Sequence, residues 1–181
     1  MSSSDLGRSY ATSLAHFARA ALVALAGVIA LSACTVQPLY GPSPSGSAVA
    51  TALAAVTIDP VDNRVGQELR NKLISDLGGE PATPAYRMKL VVSSAESALG
   101  VTPVEAAPAY SLTVSATYEV TNIASGEIVL RGTSRGTASF DRINQIYANT
   151  RARLDAENRA AHLAADDIRV RVAAAAAKGS L

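Results

Sequence analysis

Few side chains in this sequence could carry covalent or metal chemistry. The 181-residue chain has one cysteine, Cys34, and two histidines, which excludes an internal disulfide and a multi-cysteine zinc site. A Ser–His–Asp triad would have to use His162, whose alanine-rich surroundings are typical of a helix residue at the edge of a packed face. Gly78-Gly79 ends a helical pattern instead of opening one, so no phosphate-binding loop is indicated. The sequence therefore gives no positive case for an enzyme.

Cys34 has the most specific surroundings in the chain. Arg8 and Arg19 make the amino terminus weakly positive, and residues 20–33 form an uncharged apolar run. A membrane-spanning helix needs about 20 apolar residues, so this run is short for a span. The sequence LSAC at residues 31–34 resembles the lipobox of bacterial lipoproteins, where the chain is cut before a cysteine that receives a diacylglycerol. The alternative is a structural cysteine after an ordinary signal peptide.

The lipobox resemblance implies a division of the chain. Residues 1–33 are expected to be a signal peptide, and Cys34 to carry N-acyl and S-diacylglycerol groups. Residues 34–50, which contain the run PLYGPSPSGS, are expected to be a lipidated N-terminus and flexible tether. Residues 51–181 then form a single α+β domain. Two or three acyl chains anchor a protein stably, and Thr35 in place of Asp favours the outer membrane by resemblance to lipoprotein sorting.

The elements that must position any functional group begin with a strand and a helix. Residues 55–58 favour a short strand, and Asp62 or Asn63 can cap the helix that follows. Apolar residues at helical spacing mark its packed face: Val65, Leu69, Leu73, Ile74 and Leu77. Gly78-Gly79 is expected to end this helix.

Three strands with alternating patterns come next, at residues 86–92, 110–121 and 128–139. The second is the clearest, because apolar residues from Tyr110 to Val120 alternate with serine, threonine and glutamate. Ser125-Gly126 predicts a hairpin turn. The last strand is expected to point Ile128 and Leu130 inward, and to point Val129, Arg131, Thr133 and Arg135 outward. Gly132 and Gly136 indicate a bulge or a close approach.

A long helix is predicted from about residue 143, with Asp141 as its cap. Its packed stripe is Leu154, Ala161, Ala165, Ile168 and Val172. A one-sided sheet must bury its apolar face, and two amphipathic helices can cover it. The predicted fold is a two-layer α+β sandwich in the order β-α-β-β-β-α, with a mixed four-stranded sheet and both helices on one face.

Charge is distributed unevenly along the chain. The formal net charge of +1 gives no support to nucleic-acid binding. Residues 34–130 contain 5 basic and 9 acidic side chains, whereas residues 131–181 contain 9 basic and 5 acidic ones. Arginines suit phosphate because their planar group binds it through two hydrogen bonds. The basic carboxyl-terminal part indicates either a surface for phosphorylated lipid or ordinary ion pairs and solubility.

Several segments together resemble a known family. Gln37-Pro38-Leu39-Tyr40-Gly41 follows the cysteine closely, and the long helix contains Tyr147-Ala148-Asn149, RLDAENRAA at residues 153–161 and LAADDIR at residues 163–169. With the order of elements, these segments resemble the lipopolysaccharide-assembly lipoprotein family LptE in its alphaproteobacterial form.

The resemblance implies a non-enzymatic subunit of the lipopolysaccharide export translocon, without a cofactor. Members plug the outer-membrane β-barrel LptD, help it to fold and bind lipopolysaccharide, so we expect a lipid-anchored periplasmic domain within the barrel lumen. Strand geometry and charge make Arg131, Arg135, Arg87 and Lys89 the candidate lipopolysaccharide contacts.

Two other functions fit a lipid-anchored α+β domain. An auxiliary lipoprotein of an ABC-type lipid transport system would move phospholipid and need no barrel partner. A lipid-anchored periplasmic hydrolase is the second alternative, and the shortage of histidine and cysteine argues against it.

Overall fold

Three helices and four strands make up the described residues, 44–99 and 109–181 of the computed structural model. In chain order they are α1 (Pro44–Ala54), β1 (Val56–Ile58), α2 (Arg64–Leu77), β2 (Tyr86–Leu99), β3 (Ala109–Asn122), β4 (Ile128–Asp141) and α3 (Ile146–Ala177). The sheet order is β1-β2-β3-β4, with β1 parallel to β2 and the other pairs antiparallel. The predicted α+β fold with a mixed four-stranded sheet is confirmed.

The core lies between one face of the sheet and the helices. β3 contributes Leu112, Val114, Ala116, Tyr118 and Val120, all of them buried. This is the alternation predicted for the central strand, because successive side chains point to opposite faces. Opposite them α3 buries a row of mostly small residues: Ala156, Ala160, Ala161, Ala164, Ala165, Ile168 and Val172. The small side chains let the long helix lie close to the sheet.

The first helix was not predicted. Residues 34–50 were expected to be a tether, but residues 44–50 belong to α1, whose Val49 and Leu53 are buried in the core. Proline and serine at its start are good first-turn residues, and the alanine-rich remainder has a high helix propensity. The helix was not predicted because the proline, glycine and serine residues of this segment are typical of a linker. Residues 1–43, which include the predicted signal peptide and Cys34, lie outside the described residues.

The ends of α2 follow the sequence signals. Asn63 is the N-cap, and its side-chain oxygen accepts a hydrogen bond from the Gly66 amide at 2.6 Å. Gly78 ends the helix in the left-handed region, with φ at 108°, where glycine is favoured. Both caps position the short connection to β1 and β2, since the Asn63 amide group also donates to the Val92 carbonyl at 2.8 Å.

β4 departs from the prediction at its start. The register shifts between Val120 and Thr121, so β4 has one extra residue there, a β-bulge. Ile128 is therefore exposed, and Val129 is partly buried against the core, the reverse of the expectation. No register shift falls at the two glycines of β4. They mark close approaches, because a Cβ at Gly136 would lie 1.9 Å from the Ala160 carbonyl oxygen.

The start of α3 also differs from the prediction. Asp141 is the last residue of β4, and Gln145 is the N-cap, without a side-chain hydrogen bond. The turn between them is held by Asn149, whose side chain bonds both the amide and the carbonyl of Ile143. These hydrogen bonds between the Asn149 side chain and the loop backbone take the place of the cap that was predicted at Asp141. None of the helices within residues 44–99 and 109–181 is long and apolar enough to span a membrane.

Candidate functional site

The face of the sheet turned away from the helices, here called the outer face, is built of hydroxyl and cationic side chains. The register brings the odd-numbered residues of β2, β3 and β4 together on this face. Its hydroxyl residues are Ser93, Ser97, Ser111, Thr113, Ser115, Thr117, Thr121, Thr133, Thr137 and Ser139. Larger apolar side chains lie at Val91 and Leu99 of β2 and at Ile128 of β4, which the register shift pairs with Thr121. The outer face is therefore mostly polar.

The four sequence-predicted cations all lie on this outer face. Arg87 and Lys89 stand on β2, and Arg131 and Arg135 stand on β4, all of them exposed. Lys89, Glu119 and Arg131 form one row across the three strands. At strand spacings, Lys89 and Arg131 stand about 10 Å apart and the two arginines of β4 about 13 Å. The sequence did not anticipate Glu119 as the acid between two cations, because it requires the register.

Three of these cations have no ionic partner among the described residues. Lys89, Arg131 and Arg135 form no ion pair with any residue in the described parts of the chain. Arg87 has only a long contact, 3.8 Å from its Nε to Asp59 Oδ1, and both side chains are exposed. Such a surface pair contributes little. The charges of the outer face are thus available to an external anion.

Pairs of hydroxyl side chains lie on both sides of Arg135 on the outer face. Thr117 Oγ1 and Thr133 Oγ1 lie 3.3 Å apart, and Thr113 Oγ1 and Thr137 Oγ1 lie 3.2 Å apart. Each pair is exposed and retains capacity for a further hydrogen bond. The outer face can therefore offer hydroxyl donors and acceptors beside guanidinium groups.

Two clefts open at the β1 end of the sheet, each lined by one of the β2 cations. The first, of about 340 Å³, lies beside the loop from Asp59 to Asn63 and includes Lys89. The second, of about 330 Å³, is lined by Arg87 and by the hairpin residues Thr121 to Ile123. Residue patterns could not have revealed these clefts, because loops separated in sequence form their walls.

A polar cluster lies on the inner side of β4, beneath the arginines. The buried Ser134 hydroxyl is 3.0 Å from the Ala164 carbonyl and also reaches Asp167. Burial raises the pKa of Asp167, but the Ser134 hydroxyl and the Arg171 guanidinium outweigh it, so the pKa lies below its usual value. Burial raises the pKa of Tyr118, whose ring faces Gly132. These groups join α3 to the sheet and point away from the outer face.

His162 does not stand in a catalytic arrangement. Its Nε2 lies 2.9 Å from Glu68 Oε1, and the pair bridges α3 and α2 with both side chains partly exposed. This agrees with the prediction of a residue at the edge of a packed helix face. Within residues 44–99 and 109–181, no group of histidine, cysteine and carboxylate side chains is arranged to hold a metal ion.

The described residues thus form a small α+β domain with a buried core and an outer sheet face rich in hydroxyl and cationic side chains. Residues 53–172 match the family model LptE, described as lipopolysaccharide-assembly. That match covers most of the chain, and the protein belongs to the LptE family.

Solved structures show the same fold. A lipoprotein from Caulobacter crescentus is 24% identical, with a TM-score of 0.60 over 71% of this chain and 95% of that one. Rare lipoprotein B from Shewanella oneidensis is 15% identical, with a TM-score of 0.50 over 66% and 92%. A minor lipoprotein from Acinetobacter baumannii is 10% identical, with a TM-score of 0.50 over 66% and 88%. None of the curated proteins matches the chain.

Proposed function

We propose that this protein is a lipid-anchored outer-membrane subunit of the lipopolysaccharide export translocon, without enzymatic activity. In this proposal Cys34 carries the lipid, and the domain plugs an LptD-type β-barrel from the periplasmic side and assists its assembly. The observation that carries the proposal is the match of residues 53–172 to the lipopolysaccharide-assembly family. The outer face supplies the binding surface for lipopolysaccharide.

The charge of the outer face supports an anionic ligand. Arg87, Lys89, Arg131 and Arg135 outnumber the acids of this face, Glu119 and the terminal Asp141. Because most of these cations lack an ionic partner within residues 44–99 and 109–181, a phosphate group does not have to displace a carboxylate of that part of the chain. Guanidinium groups bind phosphate oxygens through two hydrogen bonds, and the neighbouring hydroxyls add neutral ones.

The polarity of the outer face also suits a plug. The interior of a large outer-membrane barrel is polar, and barrels of about 22 strands are wide enough to hold a plug domain. A domain in such a lumen needs a core closed on itself and a surface that tolerates water. The serine and threonine residues of β2, β3 and β4 provide that surface on the sheet side.

Charge reversal on the outer face tests the ligand. We expect Arg131→Glu with Arg135→Glu to weaken lipopolysaccharide binding by at least tenfold in 0.15 M salt, with little change in the melting temperature. The matched control is Arg151→Glu with Lys178→Glu, two exposed cations of α3 and its carboxyl-terminal end that lie off the outer face. The control makes the same change in net charge.

Displacement of a fluorescent probe from lipopolysaccharide gives the affinity. Equal weakening by both double variants would show that net charge alone matters and would contradict the assignment of the outer face.

Co-purification of the native, lipidated protein in mild detergent tests the barrel partner. We expect one large outer-membrane barrel in stoichiometric amount. Inner-membrane transporter subunits in its place would overturn the proposal.

A further inference from the structure

The free edge of the sheet at β4 is long and open. No described strand pairs with β4 on the side away from β3. In antiparallel strands, successive residues direct their backbone groups to opposite sides. Tyr86 donates its amide to the Ala55 carbonyl next to β1, which fixes the phase of β2 and, through the register, of β3 and β4. The amides and carbonyls of the odd-numbered β4 residues therefore point to the free edge.

One end of this edge is closed by α3. Arg159 Nη2 donates to the Ser139 carbonyl at 2.9 Å, which occupies an odd-numbered acceptor. The stretch from Arg131 to Thr137 has no such cover among the described residues. An exposed row of unpaired backbone groups is a template for another strand.

The open stretch has cationic side chains on the outer face of the sheet and an apolar side chain of α3 on the opposite face. Arg131 and Arg135 flank Thr133 on the outer face and have no ionic partner in the described chain. On α3, Leu163 is 51% exposed. It lies on the helix stripe between Arg159, which reaches Ser139, and Asp167, which reaches Ser134. An added strand would therefore meet arginines on one face and Leu163 on the other.

We propose that the β4 edge is a strand-addition site for an extended segment of a partner protein in which acidic and apolar residues alternate. Acidic side chains of that segment pair with Arg131 and Arg135, and its apolar side chains cover Leu163. The backbone ladder supplies affinity, and the alternation supplies specificity. This site shares Arg131 and Arg135 with the proposed lipopolysaccharide surface, and it adds the backbone edge of β4 and Leu163 of α3.

A second copy of this chain is a poor occupant of the edge. Two-fold antiparallel pairing centred on Thr133 places Arg131 opposite Arg135, and pairing centred on Arg135 places that arginine opposite itself. Like charges directly opposite each other destabilise a strand pair. The arginines thus select against self-association and in favour of an acidic partner.

The experiment measures binding of a fluorescein-labelled heptapeptide of alternating glutamate and valine to the full-length protein in mild detergent. Thr133→Pro removes one edge amide and leaves both arginines, and proline is tolerated on an edge strand when its nitrogen faces solvent. Thr133→Val is the control, because it keeps the amide and removes only the hydroxyl. We expect Thr133→Val to bind like the wild type, and Thr133→Pro to bind at least tenfold more weakly.

A second pair of variants avoids any change in β4. Leu163→Glu places a negative charge on the helix side of the β4 edge, and we expect it to weaken binding of the glutamate–valine heptapeptide by at least tenfold. Ile146→Glu is its control, an 87% exposed residue on the same helix about 25 Å away along the axis. Lipopolysaccharide binding should be unchanged in Leu163→Glu and Ile146→Glu, because neither residue lies on the outer face, and this separates the proposal from the function proposed above.

Three results would overturn the strand-addition site. The first is equal binding of the wild type and of both Thr133→Pro and Leu163→Glu. The second is equal binding of a heptapeptide of alternating lysine and valine, which would remove the role of the arginines. The third is a peptide-free dimer that Thr133→Pro dissociates, which would assign the edge to a second copy of the chain.

Discussion

The cations of the helices and those of the outer face stand in opposite environments. On the helices, several arginines and lysines are paired with acids: Arg64 with Glu157, Lys72 with Asp76, Arg159 with Asp155 and Arg171 with Asp167. On the outer face, Lys89, Arg131 and Arg135 have no ionic partner in the described chain. Similar residue types therefore serve internal contacts on one side of the molecule and remain available on the other.

Some ion pairs of the helical side lie within one helix, and others join elements that are distant in sequence. Arg64 of α2 contacts the buried Glu157 of α3, and Glu157 also accepts from the Ser94 hydroxyl of β2 at 3.2 Å. Glu96 of β2 is contacted by Arg142 and Arg153, which ties the end of the sheet to the start of α3. Arg142 also lies over the Tyr110 ring, 4.0 Å from its centroid. These charges hold the far end of the sheet against α3.

The two faces of β4 should respond very differently to one added side chain. Gly136→Val places its Cβ where the Ala160 carbonyl oxygen already lies, 1.9 Å away, so α3 has to move off the sheet. We expect a loss of about 3 kcal/mol or more in the free energy of unfolding. Urea denaturation followed by circular dichroism measures it.

Thr137→Val is the matched control for this variant. It lies next in sequence but points to the exposed outer face, and we expect a change within about 0.5 kcal/mol. Similar losses in the two variants would mean that α3 does not press against β4 at Gly136.

Removal of one arginine from each side tests the difference between paired and unpaired cations. Arg64→Ala leaves the Glu157 carboxylate buried without its cation, and we expect a loss of about 2 kcal/mol, moderated because Arg64 is half exposed. Arg131→Ala removes a cation without a partner, and we expect a change within about 0.5 kcal/mol. Equal effects on the urea midpoint would contradict the proposed division of roles.

Local sequence patterns predicted those elements whose structure depends mainly on residues within the element itself. The alternation of residues 110–121 predicted β3 and both of its faces, and Asn63 and Gly78 predicted the ends of α2. α1 was missed because its proline, glycine and serine residues resemble a linker, and only the burial of Val49 and Leu53 in the distant core shows otherwise. The bulge at the start of β4 depends on pairing with β3, so the pattern of β4 alone gave the wrong orientation of Ile128.

The candidate site was predictable only in part, because its geometry also depends on contacts between segments that are distant in sequence. Strand period alone placed Arg131 and Arg135 on one face, since they are four residues apart. That Arg87 and Lys89 share this face requires the register of β2 with β3 and of β3 with β4. Whether an arginine has an ionic partner depends on contacts between distant segments. Arg142, for example, is paired with Glu96, which is 46 residues away.

The smallest expected effect concerns pH and the pair of Asp167 and Arg171. The pKa of Asp167 lies below its usual value, so the folded state binds the proton less tightly than the unfolded state. The stabilisation is therefore complete above about pH 4 and is lost as the pH falls through the folded-state pKa. Because the Asp167 side chain is 40% exposed, solvent screening limits the effect to about 1 kcal/mol.

Comparison of the wild type with Asp167→Asn between pH 7 and pH 2.5 measures this contribution. We expect the difference in unfolding free energy to be constant from pH 7 to pH 5 and to shrink below about pH 4. Asp155→Asn is the control, because Asp155 also precedes its arginine by four residues but has a 68% exposed side chain and no buried serine beside it. A difference for Asp167→Asn that stays constant down to pH 2.5 would show that the carboxylate charge contributes nothing. The contact between α3 and β4 would then depend on packing at Gly136 and on the hydrogen bond from Ser134 to the Ala164 carbonyl.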